Sequence, residues 1–470
     1  MSALVVRGGR VVDPATKVDR ITDVFVRNGK IAAIGTKPAG FPAGAETIDA
    51  RGCIVSAGFV DLHVHLREPG QEGKETIASG TRAALAGGFT TVCCMANTSP
   101  VNDTALVTSW IVRRAAETGA PCKVLPIGAV TKNLEGRELA ELFGMRRAGA
   151  VAFSDDGMPV MSAGIYRRAM ELAAQIGVPV ISHCEDHTLS AGGAMHEGEI
   201  SASLGLVGIP WTSEAVMVAR DVLLAEQTGA RVHLAHLSTA AAVRIVREAK
   251  SRGVKVTAEA TPHHVSFDHR EAGLAEYDTS FKMNPPLRER KDVEAVIEGI
   301  ADGTIDAIAT DHAPHGDDDK HCEFARAANG ITGLESALPV VLSLVREKRL
   351  TMSRAIELLT SGPASAMGLD AGTLGIGEAA DLAIVDPNEE WRYDSTWSRS
   401  ANSPWIGATL IGRVREVVVD GVRWSGLDAS RDAARLRDAD ARLAKSGAAL
   451  RAKTKSTPTG SKPARKGNAR

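Results

Sequence analysis

The chain has no framework of paired cysteines. Its six cysteines, Cys53, Cys93, Cys94, Cys122, Cys184 and Cys322, are scattered without a Cys-x-x-Cys spacing, which excludes a disulfide-stapled secreted scaffold and points to a reducing compartment. No apolar run approaches the roughly 18 residues that a membrane span needs. Met1 to Asp13 carries basic side chains but lacks the apolar centre of an export signal. A cytoplasmic chain without a membrane partner is therefore expected. An excess of either charge is missing too: 55 Lys and Arg face 57 Asp and Glu, a formal net charge of -2, which removes the electrostatic footprint of a nucleic-acid binder. The local exception is the stretch from Arg451 onward, which contains no acid and reads as a disordered basic tail. Histidine is absent before His63 and after His321, although the chain has 13. That absence at both ends confines the chemistry to the middle of the chain.

What remains is a chain of 470 residues with 44% hydrophobic content, enough to bury a large core in one main domain and a smaller one. Residues 1–54 carry short apolar runs separated by Gly, Asn and Pro, a hairpin texture that returns in 366–426 with Asp381-Leu382-Ala383-Ile384-Val385 and the turn at Asp420-Gly421. The two flanks are expected to build one small β-sandwich domain. Between them, in 55–365, eight apolar runs alternate with helical stretches: 59–66, 90–95, 124–127, 151–154, 178–182, 232–237, 254–258 and 305–310. The fold class is thus α/β, a (β/α)8 TIM-type barrel. Residues 427–470 are expected to form an exposed helix followed by the basic tail.

In such barrels the site lies at the C-terminal ends of the strands, and those ends are polar here. The first run ends in His63-Val64-His65, whose imidazoles share one face because strand side chains alternate. His183 and His236 end the fifth and sixth runs, Asp155-Asp156 the fourth, and Asp311-His312 the eighth. Imidazoles and carboxylates in this mixture suit zinc or a similar divalent ion, and six donors exceed what one ion takes. Two Zn2+ per chain are expected, one held by His63, His65 and Asp311, the other by His183 and His236, with Asp156 between them. Such a pair lowers the pKa of a shared water toward about 7. Asp155 is the structural alternative to Asp156, and strand parity alone does not separate them.

At these residues the chain resembles the amidohydrolase superfamily, and within it the bacterial type I dihydroorotases. The stretches that carry the resemblance are Asp61-Leu62-His63-Val64-His65-Leu66-Arg67-Glu68-Pro69-Gly70, Phe153-Ser154-Asp155-Asp156-Gly157, Ser182-His183-Cys184-Glu185-Asp186, His196-Glu197-Gly198, Lys282-Met283-Asn284-Pro285-Pro286-Leu287-Arg288 and Ala309-Thr310-Asp311-His312-Ala313-Pro314-His315. The resemblance implies reversible hydrolysis of (S)-dihydroorotate to N-carbamoyl-L-aspartate, a step of de novo pyrimidine biosynthesis. It places metal ligands at His63, His65, Asp156, His183, His236 and Asp311, and substrate contacts at Arg67, Asn97, Asn284, His315 and the backbone of Asn329 and Gly330. Asp311 is the expected proton carrier, and Arg67 the expected grip on the substrate carboxylate, with an ion pair to Glu68 as its structural alternative. Many relatives read Met-Pro-Asn-Thr where this chain has Met95-Ala96-Asn97-Thr98, and an apolar residue at Asn329.

Two other readings fit parts of the sequence. A dihydropyrimidinase or allantoinase shares the barrel but bridges its metals with a carboxylated lysine, and Phe153-Ser154-Asp155-Asp156 offers none. A non-catalytic subunit that scaffolds aspartate transcarbamoylase would have lost ligands, and none is missing. An active enzyme is also compatible with such a partner, and a homo-oligomer is expected. The polar stretch from Ala313 to Gly330 reads as a mobile lid over the site, with His321 and Cys322 as exposed loop residues.

Overall fold

The structure is a computed structural model that describes residues 2–425; the helix and basic tail expected in 427–470 lie outside the described residues. The apolar runs of the middle segment become eight parallel strands, Phe59–Val64, Phe89–Cys94, Lys123–Gly128, Ala152–Ser154, Val180–Ser182, Val232–Leu234, Val256–Ala260 and Ala307–Ile308, hydrogen-bonded in chain order. A parallel bridge between Val64 and His312 brings the last strand back onto the first, where the His65 N–H donates to His312 O at 2.9 Å. The interior is filled by Val60, Leu62, Cys93, Met95, Ile127, Ile181 and the small residues Ala152, Ala235, Ala307 and Ala309. It is therefore a packed core and not a pore.

Local sequence explains where the outer helices start. Thr76, Thr104, Ser162 and Thr239 each precede a helix, and each side chain accepts a hydrogen bond from the N–H three residues on, satisfying a donor that the first turn leaves open. The helix Ala163–Ile176 buries Tyr166, Ala169, Met170 and Ala173, the stripe of a helix with one face on a core.

The strands of the two chain flanks join in one eight-stranded sheet. Ile54–Ala57 unites them, pairing in parallel with Ala3–Asp13 and antiparallel with Leu382–Arg392. Alternation along Leu4-Val5-Val6 sends Leu4 and Val6 into a cluster with Val24, Leu382 and Val418, while Val5 packs with Phe25 and Phe41. The β-rich part expected from both flanks is thus present.

One buried carboxylate holds the barrel's first and last strands in register. Asp61 accepts from Thr310 Oγ1 at 2.6 Å, from Thr310 N at 3.1 Å and from His63 N at 3.0 Å. Burial pushes its carboxyl up to about 7 despite these bonds. Asp61→Ala leaves two main-chain donors unsatisfied and is expected to lose about 2–4 kcal/mol of stability. Asp61→Asn, which keeps an acceptor, is expected to lose less. Urea unfolding of both variants checks this, and equal losses would contradict the assignment.

Candidate metal centre

Five of the six expected ligands stand just beyond the end of a barrel strand: His65, Asp156, His183, His236 and Asp311. His63 lies within the first strand and is fully buried. All six converge. Asp156 lies at the centre: its Oδ1 is 3.2 Å from His63 Nε2, 3.5 Å from His183 Nδ1 and 3.7 Å from His236 Nε2, and its Oδ2 is 3.5 Å from His65 Nε2. Asp311 Oδ1 is 3.1 Å from His65 Nε2 and 3.4 Å from His63 Nε2. Three overlapping triads, His63/His236/Asp311, His63/His65/Asp156 and Asp156/His183/His236, have ligand atoms within 4.8 Å of one another and can hold a metal ion. His63 Nε2 and Asp156 Oδ1 are buried with no hydrogen-bond partner among the described residues. Such orphans are costly, and a cation between them would satisfy both, so the donor set fits a metal.

The backbone is bent to achieve this. His236 and Asp311 have φ of +33° and +47°, and Arg67, two residues past His65, has +58°. Residues with side chains rarely adopt this region, and such strain gathers at functional sites. Asp155, the alternative to Asp156, points elsewhere: it accepts from Val130 N at 2.7 Å, Thr131 N at 3.0 Å and the Thr131 hydroxyl. Asp155 therefore anchors the loop after the third strand.

Charge within the cluster is mutually reinforcing. Burial alone would strip the proton from His63, but Asp156, Asp311 and Glu259 outweigh it and hold the imidazole well above its ordinary value. His183 is likewise raised to about 10 against the cost of burial, by Asp156 and Glu185. The two aspartates move the opposite way, far below the carboxylate range, because neighbouring imidazoles overcome their desolvation.

A second layer escaped the sequence reading. Glu259 joins His63 Nδ1 to His233 Nε2, at 2.9 Å each, and so leaves His63 Nε2 to face the aspartates. The signal was a lone acid in the buried strand Val-Thr-Ala-Glu-Ala. Glu185 contacts His183 Nε2 at 3.0 Å and accepts from Asn284 Nδ2 at 2.7 Å. It lies in the stretch around His183 that carries the resemblance, but nothing in that stretch marks its role. Asn97 Oδ1 meets His65 Nδ1 at 2.9 Å, which orients that ring toward Asp311.

Above the cluster is a cavity of about 250 Å³, and every expected site residue except His63 lines it. Arg67 is 8% exposed there. Its Nε donates to Pro314 O at 3.2 Å and its Nη2 lies 3.3 Å from His315 Nε2; among the described residues no carboxylate pairs with it. Glu68 instead takes Arg114 at 2.6 Å and Ile77 N at 2.8 Å. His315 is lowered to about 3 by burial and by Arg67, and its Nε2 meets Asn329 O at 2.9 Å. Because Asn329 acts there through its carbonyl, the side-chain departure from other sequences leaves this contact intact. Gly330 has φ +119°, and a Cβ there would come within 2.5 Å of Ala313 Cβ, so only glycine fits. His321 and Cys322 are exposed, as expected.

Known proteins resemble the chain along nearly its whole described length. The family described as "Dihydro-orotase-like" matches residues 52–242, and the "Amidohydrolase family" matches 211–423. The dihydroorotase of Anaeromyxobacter sp. (strain K) is 53% identical over 420 residues, covering 89% of this chain and 96% of that protein. The dihydroorotase of Solibacter usitatus is 53% identical over 426 residues, covering 90% and 98%. The chain belongs to the dihydroorotase family. Among solved structures, the L-hydantoinase (dihydropyrimidinase) from Arthrobacter aurescens superposes with a TM-score of 0.80 at 27% identity, over 90% of this chain and 96% of that one. The hydantoinases share the barrel and its β-rich companion, while sequence identity sets this chain with the dihydroorotases. Membership makes it a metal-dependent amidohydrolase. Among the described residues no helix is long and apolar enough to cross a membrane.

Metal binding has a consequence for protons. The protons held on His63 and His183 must leave before those nitrogens can ligate. Loading the metal-free protein is expected to release protons, with affinity rising as pH rises. Calorimetry in buffers of different ionisation enthalpy measures this directly, and a buffer-independent heat would contradict it.

Proposed function

We propose that this protein is a dihydroorotase that reversibly hydrolyses dihydroorotate to N-carbamoyl-L-aspartate. The observation that carries the reading is Arg67, a buried guanidinium with no carboxylate partner among the described residues, facing the same cavity as the histidine-aspartate cluster. A buried cation without a counter-ion is costly, and an anionic ligand removes that cost. Dihydroorotate brings one carboxylate and a hydrolysable ring amide; dihydrouracil, hydantoin and similar neutral rings bring no carboxylate.

In this reading His63, His65, Asp156, His183, His236 and Asp311 hold two divalent cations, zinc by donor type. Bound there, the cations would polarise the scissile carbonyl and acidify the attacking water. Arg67 grips the substrate carboxylate bidentately, Asn97 and Asn284 offer amide groups at the cavity wall, and the main chain at Asn329 and Gly330 meets the ring with His315. This orients the ring amide carbonyl next to the methylene toward the cluster. Asp311 accepts a proton from the water and returns it to the ring nitrogen as the C–N bond breaks. The reverse reaction closes the ring by the same path.

The family membership supports this reading over a hydantoinase, and the full set of donors supports it over a non-catalytic scaffold. Six free cysteines support a cytoplasmic location. Self-association, or association with an aspartate transcarbamoylase, belongs to the same reading and rests on the resemblance.

Metal-loaded protein is expected to turn over dihydroorotate and N-carbamoyl aspartate and to leave dihydrouracil, hydantoin and allantoin untouched. Turnover confined to the neutral rings would overturn the proposal. Asp311→Asn is expected to abolish turnover, and near-normal rates in that variant would remove Asp311 from its role. Arg67→Gln is expected to raise KM for dihydroorotate about 100-fold, the worth of a desolvated charge-assisted pair, with an unchanged KM as the contrary result.

A further inference from the structure

Residues 313–330, which follow the eighth barrel strand, supply Ala313, His315, Asn329 and Gly330 to the cavity, while Asn284 reaches it from a different segment. Two buried lysines tie these segments together. Lys320, 6% exposed, donates from Nζ to Thr279 O at 2.9 Å, Lys282 O at 3.2 Å and Ala328 O at 2.8 Å. Lys282, 4% exposed, donates to Ala325 O at 2.9 Å and Ala327 O at 2.8 Å, with Nζ 5.7 Å from the centre of the Phe324 ring. The Gly330 N–H donates to Lys282 O at 3.0 Å. The stretch expected to be a mobile lid is thus fastened by main-chain carbonyls gathered on ammonium groups.

Neither lysine has a carboxylate within ion-pair distance among the described residues; Asp278 and Asp319 act on Lys320 only from farther away. A buried ammonium is tolerated when each of its three N–H groups finds an acceptor. The three carbonyls around Lys320 match that number and come from both sides of the junction: Thr279 and Lys282 precede Asn284, and Ala328 precedes Asn329.

We propose that Lys320, seconded by Lys282, is a positioning residue for substrate: it clamps residues 313–330 to the Asn284 segment, so that Asn284, Asn329 and Gly330 meet the substrate as one preset surface. The inference rests on the reading of the cavity as the dihydroorotate site. Preset contacts spend less of the binding energy on ordering, so the clamp governs affinity and leaves the chemistry at Asp311 untouched.

The clamp also has a pH limit. Burial and the neighbouring Lys282 lower Lys320 to about 7, against the pull of Asp278, Cys322 and Asp319. A neutral amine has two N–H groups and a lone pair, so one of the three carbonyls loses its donor. The clamp is complete below that pH and loosens as pH rises through it.

Steady-state kinetics across neutral pH on wild type, Lys320→Met and Lys320→Arg test the proposal. In Lys320→Met, KM for dihydroorotate is expected to rise about tenfold or more, the worth of a charge-assisted hydrogen bond, while kcat stays within about threefold. Bound metal should be unchanged. Wild-type KM is expected to climb as pH rises above about 7, and this limb should vanish in Lys320→Arg, whose guanidinium stays charged. If Lys320→Met does not fold, the Lys320→Arg profile decides. Normal turnover with unchanged KM in Lys320→Met, or a persisting limb in Lys320→Arg, overturns the clamp alone. A wild type inactive on both substrates overturns the functional reading and the clamp with it.

Discussion

The structure depends on one buried carboxylate facing four imidazoles. Asp156 can sit among His63, His65, His183 and His236 only because each comes from a different place on the barrel rim or from alternate positions of one strand. In a low-dielectric interior such a group of charges is stable only when opposite signs neutralise one another, and Asp156 and Asp311 do this for the histidines. The barrel is what makes the convergence affordable: parallel strands held in register deliver residues distant in sequence to one point. Asp61, bridging the first and last strands beneath the cluster, is part of that support.

Around the cluster the chain arranges polar groups in layers. Glu259, Glu185 and Asn97 turn individual imidazoles so that the correct nitrogen faces inward. Outside them, Arg67 stands in the cavity wall with no acid paired to it among the described residues, because Glu68 is taken by Arg114 and by the start of the following helix. The neighbouring acid's engagement elsewhere is what leaves the guanidinium available to an anionic ligand. Lys320 and Lys282 extend the pattern, using buried cations to gather carbonyls where Arg67 awaits a carboxylate.

Much of this was legible in the sequence, for physical reasons that differ by residue. Each of the eight barrel strands is an apolar run with a polar end, and both properties survive in a linear string. His63 and His65 declared themselves through strand alternation. Strand alternation could not separate Asp155 from Asp156, because the fourth strand ends at Ser154 and both acids lie in the turn beyond; the resemblance supplied the choice of Asp156. Glu259 carries no motif, and Glu185 lies in the stretch around His183 without its role being marked there; both roles exist only through contacts with histidines already in place. The stretch around Gly316-Asp317-Asp318-Asp319-Lys320 reads as a lid from composition, which cannot show that Lys320 is turned inward onto three carbonyls. The hairpin texture of the flanks predicted strands but not their order in the shared sheet, which is set by pairings far apart in sequence.

The central proposal is that the six donors gathered around Asp156 would hold two divalent cations beside a guanidinium, Arg67, that takes the substrate carboxylate. Anomalous diffraction at the zinc edge, from crystals of metal-loaded protein soaked with dihydroorotate, tests it most directly. The account predicts two peaks among the six donors, Asp156 ligating metal, with the ligand carboxylate on Arg67. A single peak, or an Asp156 that touches no metal, would contradict it.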